Sequence, residues 1–147
     1  MQESFDHYFE EESLYQAISR FEDMMKSNTI CYFDVCEFEI IIDYYLDQHN
    51  IKHAEEAVYT AMGQHPGSSE IKFRLAQLYI QSGKPAKGLQ LLRGIENLES
   101  SNSDFYLLKG TAFNLLGKKE EATRAFDSAI RYTTEGKDDV IYNIAYS

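Results

Sequence analysis

The chain has 147 residues, 44% of them hydrophobic, which is enough for one compact domain with a sizeable core. Its net charge of −10, from 14 basic and 24 acidic residues, leaves no basic face to displace counterions from nucleic acid, and an acidic membrane surface would repel it. The two cysteines, Cys31 and Cys36, lie close together with no histidine beside them, which argues against both a disulfide framework and a zinc site.

Residues 1–12 show no clean period and read as a lead-in or a degenerate half-helix carrying Phe5, Tyr8 and Phe9. They are acidic and aromatic, unlike a basic-then-apolar secretory leader. From Ser13 onward Leu14, Ala17, Ile18, Phe21, Met24 and Met25 have the i, i+3, i+4, i+7 spacing of a one-sided helix. A link over 27–33 follows. Asp34 and Glu37 then have the spacing of a capping box and predict a helix start at Val35. Paired helices are expected over 35–48 and 51–64, over 69–82 and 85–98, and over 104–116 and 119–132. Pro66-Gly67 stops the chain from continuing as helix, and Pro85 sits in a first turn, where its missing N–H costs nothing. Val140, Ile141, Ile144 and Ala145 begin one more apolar face, which the sequence leaves unfinished; a fragment of a longer helical array is expected. The longest mostly apolar run, 38–46, contains Glu39 and Asp43 and is too short to span a bilayer, so the expected compartment is the cytoplasm.

The helix pairs repeat. Tyr106, Gly110, Phe113, Gly117, Ala122, Phe126 and Ala129 describe two amphipathic helices joined by a glycine turn, small where the backbones approach and large where space must be filled. A step back of 34 residues takes Gly110 to Ala76, Phe113 to Tyr79, Gly117 to Gly83, Ala122 to Gly88 and Phe126 to Leu92, and a second step reaches Ile42, Tyr45, His49, Ala54 and Val58 without a gap. Pro66 closes the first unit. This pattern resembles the tetratricopeptide repeat. It divides the chain into repeats at 35–68, 69–102 and 103–136, with 1–34 as a capping helix and link, and 137–147 as the first helix of an incomplete fourth repeat or a C-terminal cap. The resemblance implies an all-α fold, a right-handed superhelix (α-solenoid) of antiparallel helix pairs whose core is a strip between neighbouring repeats. Departures from the family pattern carry expectations of their own. His49 in place of the turn glycine predicts a less tight first turn. Gly88 inside a helix should cost about 1 kcal/mol, so Gly88→Ala is expected to be neutral or stabilising. Lys109 stands at a leucine position and Lys72 at an aromatic one.

Candidate chemistry is sparse. His49 and His53, four apart, would need Asp47 as a third metal ligand, but the pair straddles a turn and reads as two exposed histidines. No Ser or Cys sits in a strained elbow beside a base, and Gly83 and Gly117 are explained by turn geometry. No catalytic residue, cofactor or metal ligand is expected. By the resemblance, the first helix of each repeat lines a concave groove, which places Glu39, Asp43 and Asp47, Phe73, Arg74 and Gln77, and Leu107 and Thr111 on the binding surface. Family members that grip a carboxylate tail use lysines and asparagines there; Glu39 and Asp43 argue against that clamp. Glu39, Asp43 and Asp47 are spaced by four and form an acidic strip, although like charges at that spacing repel by a few tenths of a kcal/mol. The expected function is a non-catalytic module binding a protein or peptide segment, with a Lys or Arg near Asp43 and an apolar anchor near an outward-facing Phe73. The alternative is a structural scaffold that self-associates through its C-terminal edge, or the repeat region of a longer protein whose activity lies elsewhere.

Overall fold

A computed structural model describes residues 2–133, with side chains from Glu10 onward. Seven α-helices occur among these residues: α1 (Gln2–Ser27), α2 (Val35–Asp47), α3 (Ile51–Gln64), α4 (Ser69–Gln81), α5 (Pro85–Ile95), α6 (Ser103–Leu115) and α7 (Lys119–Arg131). The chain divides into two compact units, Met1–Ile71 and Lys72–Ser147. The apolar face expected over 137–147 lies outside the described residues.

Local chemistry sets the helix ends. Asp34 closes a complete capping box on α2: its carboxylate accepts from the Glu37 N–H at 2.7 Å, and Glu37 Oε1 accepts from the Asp34 N–H at 3.2 Å. Asn50 caps α3 by accepting from the His53 N–H at 3.2 Å, and Asn102 caps α6 by accepting from the Asp104 N–H at 3.0 Å. Pro85 occupies the first turn of α5. That helix stops at Ile95, earlier than its sequence pattern suggests, and the Leu98 amide closes the following turn onto the Ile95 carbonyl at 3.0 Å.

Three turns within helix pairs share one hydrogen-bonding scheme. Asn50 N–H bonds to the Tyr45 carbonyl at 2.9 Å, Lys84 to Tyr79 at 2.8 Å and Lys118 to Phe113 at 2.9 Å, recurring at the 34-residue period. The residue before each donor has positive φ: 54° at His49, 79° at Gly83 and 75° at Gly117. His49 therefore makes the same tight turn as the two glycines, and the looser turn expected of it is corrected. The six-residue hydrogen-bonded loop requires the left-handed conformation whatever residue occupies it.

In the first unit, α1 is one continuous helix rather than a helix beginning near Ser13, and it packs on α2. Ala17, Ile18, Phe21 and Met24 form its buried stripe. Phe21 meets Phe33 and Tyr45 at ring distances of 6.2 and 6.1 Å, and Phe33 meets Phe38 at 5.3 Å, so an aromatic cluster joins helix, link and α2. Arg20 lies 4.7 Å over the Phe33 ring and pairs with Glu37 at 2.7 Å.

In the second unit, Phe73, Ala76, Ile80, Leu89, Leu92, Ile95, Phe105, Ala112, Phe113 and Ala122 form one core, with Tyr106 and Phe126 packed against it. Two glycines mark close helix approaches. A Cβ on Gly110 would fall 2.6 Å from Cδ1 and Cε1 of the Phe126 ring, and one on Gly88 would fall 2.6 Å from Ile80 Cγ1 and 3.1 Å from the Ala76 carbonyl. Gly88 is thus occupied space, not a helix defect, which overturns the expectation that alanine would be neutral there. Lys109, at a position where the repeat pattern has leucine, is largely buried and donates its ammonium to Glu96 Oε1 at 3.0 Å.

Candidate functional site

The acidic strip of α2 lies beside a cleft. Between α1 and α2, inside the first unit, an open hollow of about 710 Å³ is lined by Glu10 and Leu14 from α1 and by Ile40, Asp43, Tyr44 and Asp47 from α2. Spacing on α2 explains the arrangement: Ile40, Asp43, Tyr44 and Asp47 fall at i, i+3, i+4 and i+7 and share one face. Asp43 and Asp47 therefore both line the hollow against α1, whereas Glu39 is half-buried on the same helix and is not one of its described lining residues. Ile40 keeps 37% of its surface exposed, so an apolar group is presented among carboxylates.

The remaining sequence candidates belong to the second unit. Phe73 is only 6% exposed and is part of the core, so it does not point outward as an anchor, and that expectation is corrected. The cause lies in α4, which buries Phe73, Leu75, Ala76, Leu78 and Ile80, positions too widely distributed for a one-sided helix. Arg74 sits with its guanidinium carbon 5.6 Å from the Phe73 ring centre. Gln77 Oε1 is buried without a hydrogen-bond partner among the described residues. Leu107 and Thr111 are half-buried on α6, and the Thr111 hydroxyl donates into its own helix, to the Leu107 carbonyl at 2.9 Å.

Two histidines, His53 and His65, make structural contacts. His53 is half-buried, its ring 5.1 Å from that of Tyr45 and its Nδ1 3.1 Å from Asn50 Oδ1, rather than exposed in a turn. His65, which stood apart in the sequence, acts with Gln64 to clamp the link. Gln64 Nε2 donates to the Cys31 carbonyl at 2.8 Å while its Oε1 accepts from the Phe33 N–H at 3.0 Å. His65 Nε2 lies 2.8 Å from the Phe33 carbonyl, and since a carbonyl can only accept, that nitrogen carries the proton. The extended link thus bonds side chains in place of a neighbouring strand. No residue pattern flagged this pair, because the partners are more than thirty positions apart. Tyr45, 2% exposed, donates its hydroxyl to Glu22 Oε1 at 3.0 Å; burial first, and the carboxylate second, raise its ionisation above the ordinary phenol range.

Among the described residues, no group of three or more His, Cys, Asp and Glu could hold a metal ion, and no helix is long and apolar enough to cross a membrane.

Comparison with known proteins agrees with the helix geometry. A tetratricopeptide repeat family model matches residues 45–112, roughly two 34-residue periods. A solved structure of a MamA mutant is similar over 99% of this chain and 87% of its own, with a TM-score of 0.59 and 20% identity, a likeness of fold. No curated protein sequence matches the chain.

Proposed function

Because the chain belongs to the tetratricopeptide repeat family, we propose that it is a non-catalytic interaction module that binds a protein or peptide segment carrying basic residues. The observation that supports this reading best is the hollow between α1 and α2, where Glu10, Asp43 and Asp47 surround Leu14, Ile40 and Tyr44. Carboxylates around an apolar floor suit a ligand that offers both a cation and an apolar side chain. Repeats at 35–68, 69–102 and 103–136 supply the scaffold in this reading, and Ile40 takes the anchoring role first expected of Phe73. Neither nucleic acid nor an anionic membrane fits a chain of net charge −10, and a cytoplasmic protein is the partner we assign.

Affinity capture tests the proposal. The wild-type chain is compared with one carrying Asp43→Lys and Asp47→Lys as bait in a cell extract. Specific partners held by the wild-type chain should elute as salt is raised, and the charge-reversed bait should lose them. Retention of the same partners by both baits would place binding elsewhere on the molecule and overturn the assignment.

A further inference from the structure

We propose that a hollow between α6 and α7 is a second binding surface, and that its occupant is a peptide segment of another protein in which a single Glu or Asp stands beside a large apolar side chain. This surface is independent of the α1–α2 hollow.

The hollow has a volume of about 420 Å³, within the range of ligand sites, and its described lining residues all belong to the second unit. Phe113 from α6 and Ala125 from α7, both buried, give it an apolar floor. Beside that floor stands an aromatic pair. Tyr106 and Tyr132 stack with ring centres 5.3 Å apart and 17° between their planes. The Tyr106 hydroxyl donates to the Ser100 carbonyl at 2.9 Å, which fixes that ring and engages its polar end. Tyr132 keeps 37% of its surface exposed, so covering it removes apolar surface from water.

Charge selects the rest of the ligand. Lys109, Arg124 and Arg131 line the hollow together with Glu96 and Glu121, three cations against two carboxylates among the described lining residues. On a chain of net charge −10 this is a local reversal. Lys109 donates to Glu96 at 3.0 Å, and those two charges cancel. Glu121 and Arg124 stand one turn apart on α7 and offset one another across solvent. Arg131 lies two turns beyond Arg124, about 10 Å along the helix axis. Neither arginine is in an ion pair among the described residues. The charge of Arg131 is felt inside the hollow: burial first, then Tyr132 and Glu96, raise the ionisation of Tyr106, and Arg131 opposes that rise. The uncompensated cation is therefore Arg131, next to the aromatic pair.

One carboxylate satisfies this balance. The planar guanidinium fork matches a carboxylate through two parallel N–H···O bonds. A phosphate monoester carries close to two negative charges and would bring one more than the hollow can pair. An uncharged apolar ligand would cover Arg131 without a partner for it. A carboxylate with no apolar neighbour would leave Tyr132 in water. The acidity of the rest of the chain opposes such a ligand only weakly at contact, because at physiological salt charges beyond about 8 Å are largely screened.

The probes are four short, end-capped Gly/Ser peptides that differ only at two central positions: Glu-Leu, Gln-Leu, Glu-Ser and phosphoserine-Leu. Each is titrated into the full chain labelled with nitrogen-15, and amide shifts report both affinity and place. Glu-Leu should saturate with shifts in α6 and α7. Gln-Leu and Glu-Ser should bind at least about fivefold more weakly, and phosphoserine-Leu no more tightly than Glu-Leu. Arg131→Glu should abolish the preference for Glu-Leu over Gln-Leu. Tyr132→Ser should weaken Glu-Leu about threefold and keep that preference. Both positions are exposed, and circular dichroism verifies that the variants fold. Asp43→Lys with Asp47→Lys should leave Glu-Leu binding unchanged, so failure at the α1–α2 hollow and failure here are read separately. Equal binding of Glu-Leu and Gln-Leu, shifts confined to other helices, or an undiminished preference in Arg131→Glu overturns the proposal. Phosphoserine-Leu binding about tenfold more tightly than Glu-Leu overturns the carboxylate in favour of phosphate. Concentration-dependent shifts of the same amides without peptide, removed by Arg131→Glu, make a second copy of the chain the occupant and overturn it as well.

Discussion

His49 holds at φ 54° a conformation that glycine holds in the two equivalent turns, so the strain of a side chain there is localised and removable. His49→Gly should stabilise the chain by about 0.5–1 kcal/mol in urea denaturation; a loss would mean that the imidazole makes a compensating contact. The opposite holds at Gly110 and Gly88. An alanine methyl at either site meets Phe126 or Ile80 at 2.6 Å, and the overpacking cost exceeds the roughly 1 kcal/mol of helix propensity gained. Each Gly→Ala variant should lose about 1–2 kcal/mol, and adding Phe126→Leu to Gly110→Ala should restore part of it if the ring is the obstacle. Tyr45 gives a pH prediction. Its phenol keeps its proton to higher pH in the folded chain than in the unfolded one, where it ionises near pH 10. The stability this confers is complete below about pH 10 and declines as pH rises above that value, because only the unfolded state gains by releasing the proton. Tyr45→Phe should cost about 0.5–1.5 kcal/mol at neutral pH through the lost bond to Glu22, yet its stability should fall less steeply between pH 10 and 11.5. A variant with an unchanged alkaline slope would show that Tyr45 titrates normally.

Helices were legible in the sequence wherever one face was apolar and both ends carried caps. Asp34–Glu37 and Pro85 marked starts that the structure keeps. The start of α1 was not legible, since the period of its first turns is blurred by acidic and aromatic residues. Phe73 was misplaced for a related reason: counting along a repeat assigns a face, but α4 has no single apolar face. The link was also opaque, because its order depends on side chains from α3 rather than on its own residues. That dependence is testable. Gln64→Ala removes the donor to Cys31 and the acceptor for Phe33, so two buried-edge backbone groups lose their partners. A loss of about 2–3 kcal/mol is expected, with amide hydrogen exchange accelerated first at Phe33. Gln64→Glu should keep the acceptor, lose the donor, and fall between alanine and wild type. If exchange at Phe33 stays slow in Gln64→Ala, the clamp does not hold the link.

At the scale of the whole molecule, the 34-residue recurrence was the most informative signal, and the three equal turns give it a physical basis. The proposed binding surface was legible only in its charges. Asp43 and Asp47 could be aligned from their spacing, but the hollow beside them has α1 as its other wall, and which side chains of α1 face α2 depends on packing. The clamp on the link also has a consequence in time. Phe33 is bonded by a residue made 31 positions later, so during synthesis α1 and the link emerge before the side chain that secures them exists. At about 5–20 residues per second the ribosome leaves that interval open for seconds. Nascent chains arrested before Gln64 should be cut by protease in the link, and chains arrested once α3 has cleared the exit tunnel should resist. The last residue of α3 thus completes the hydrogen bonds of a link made well before it.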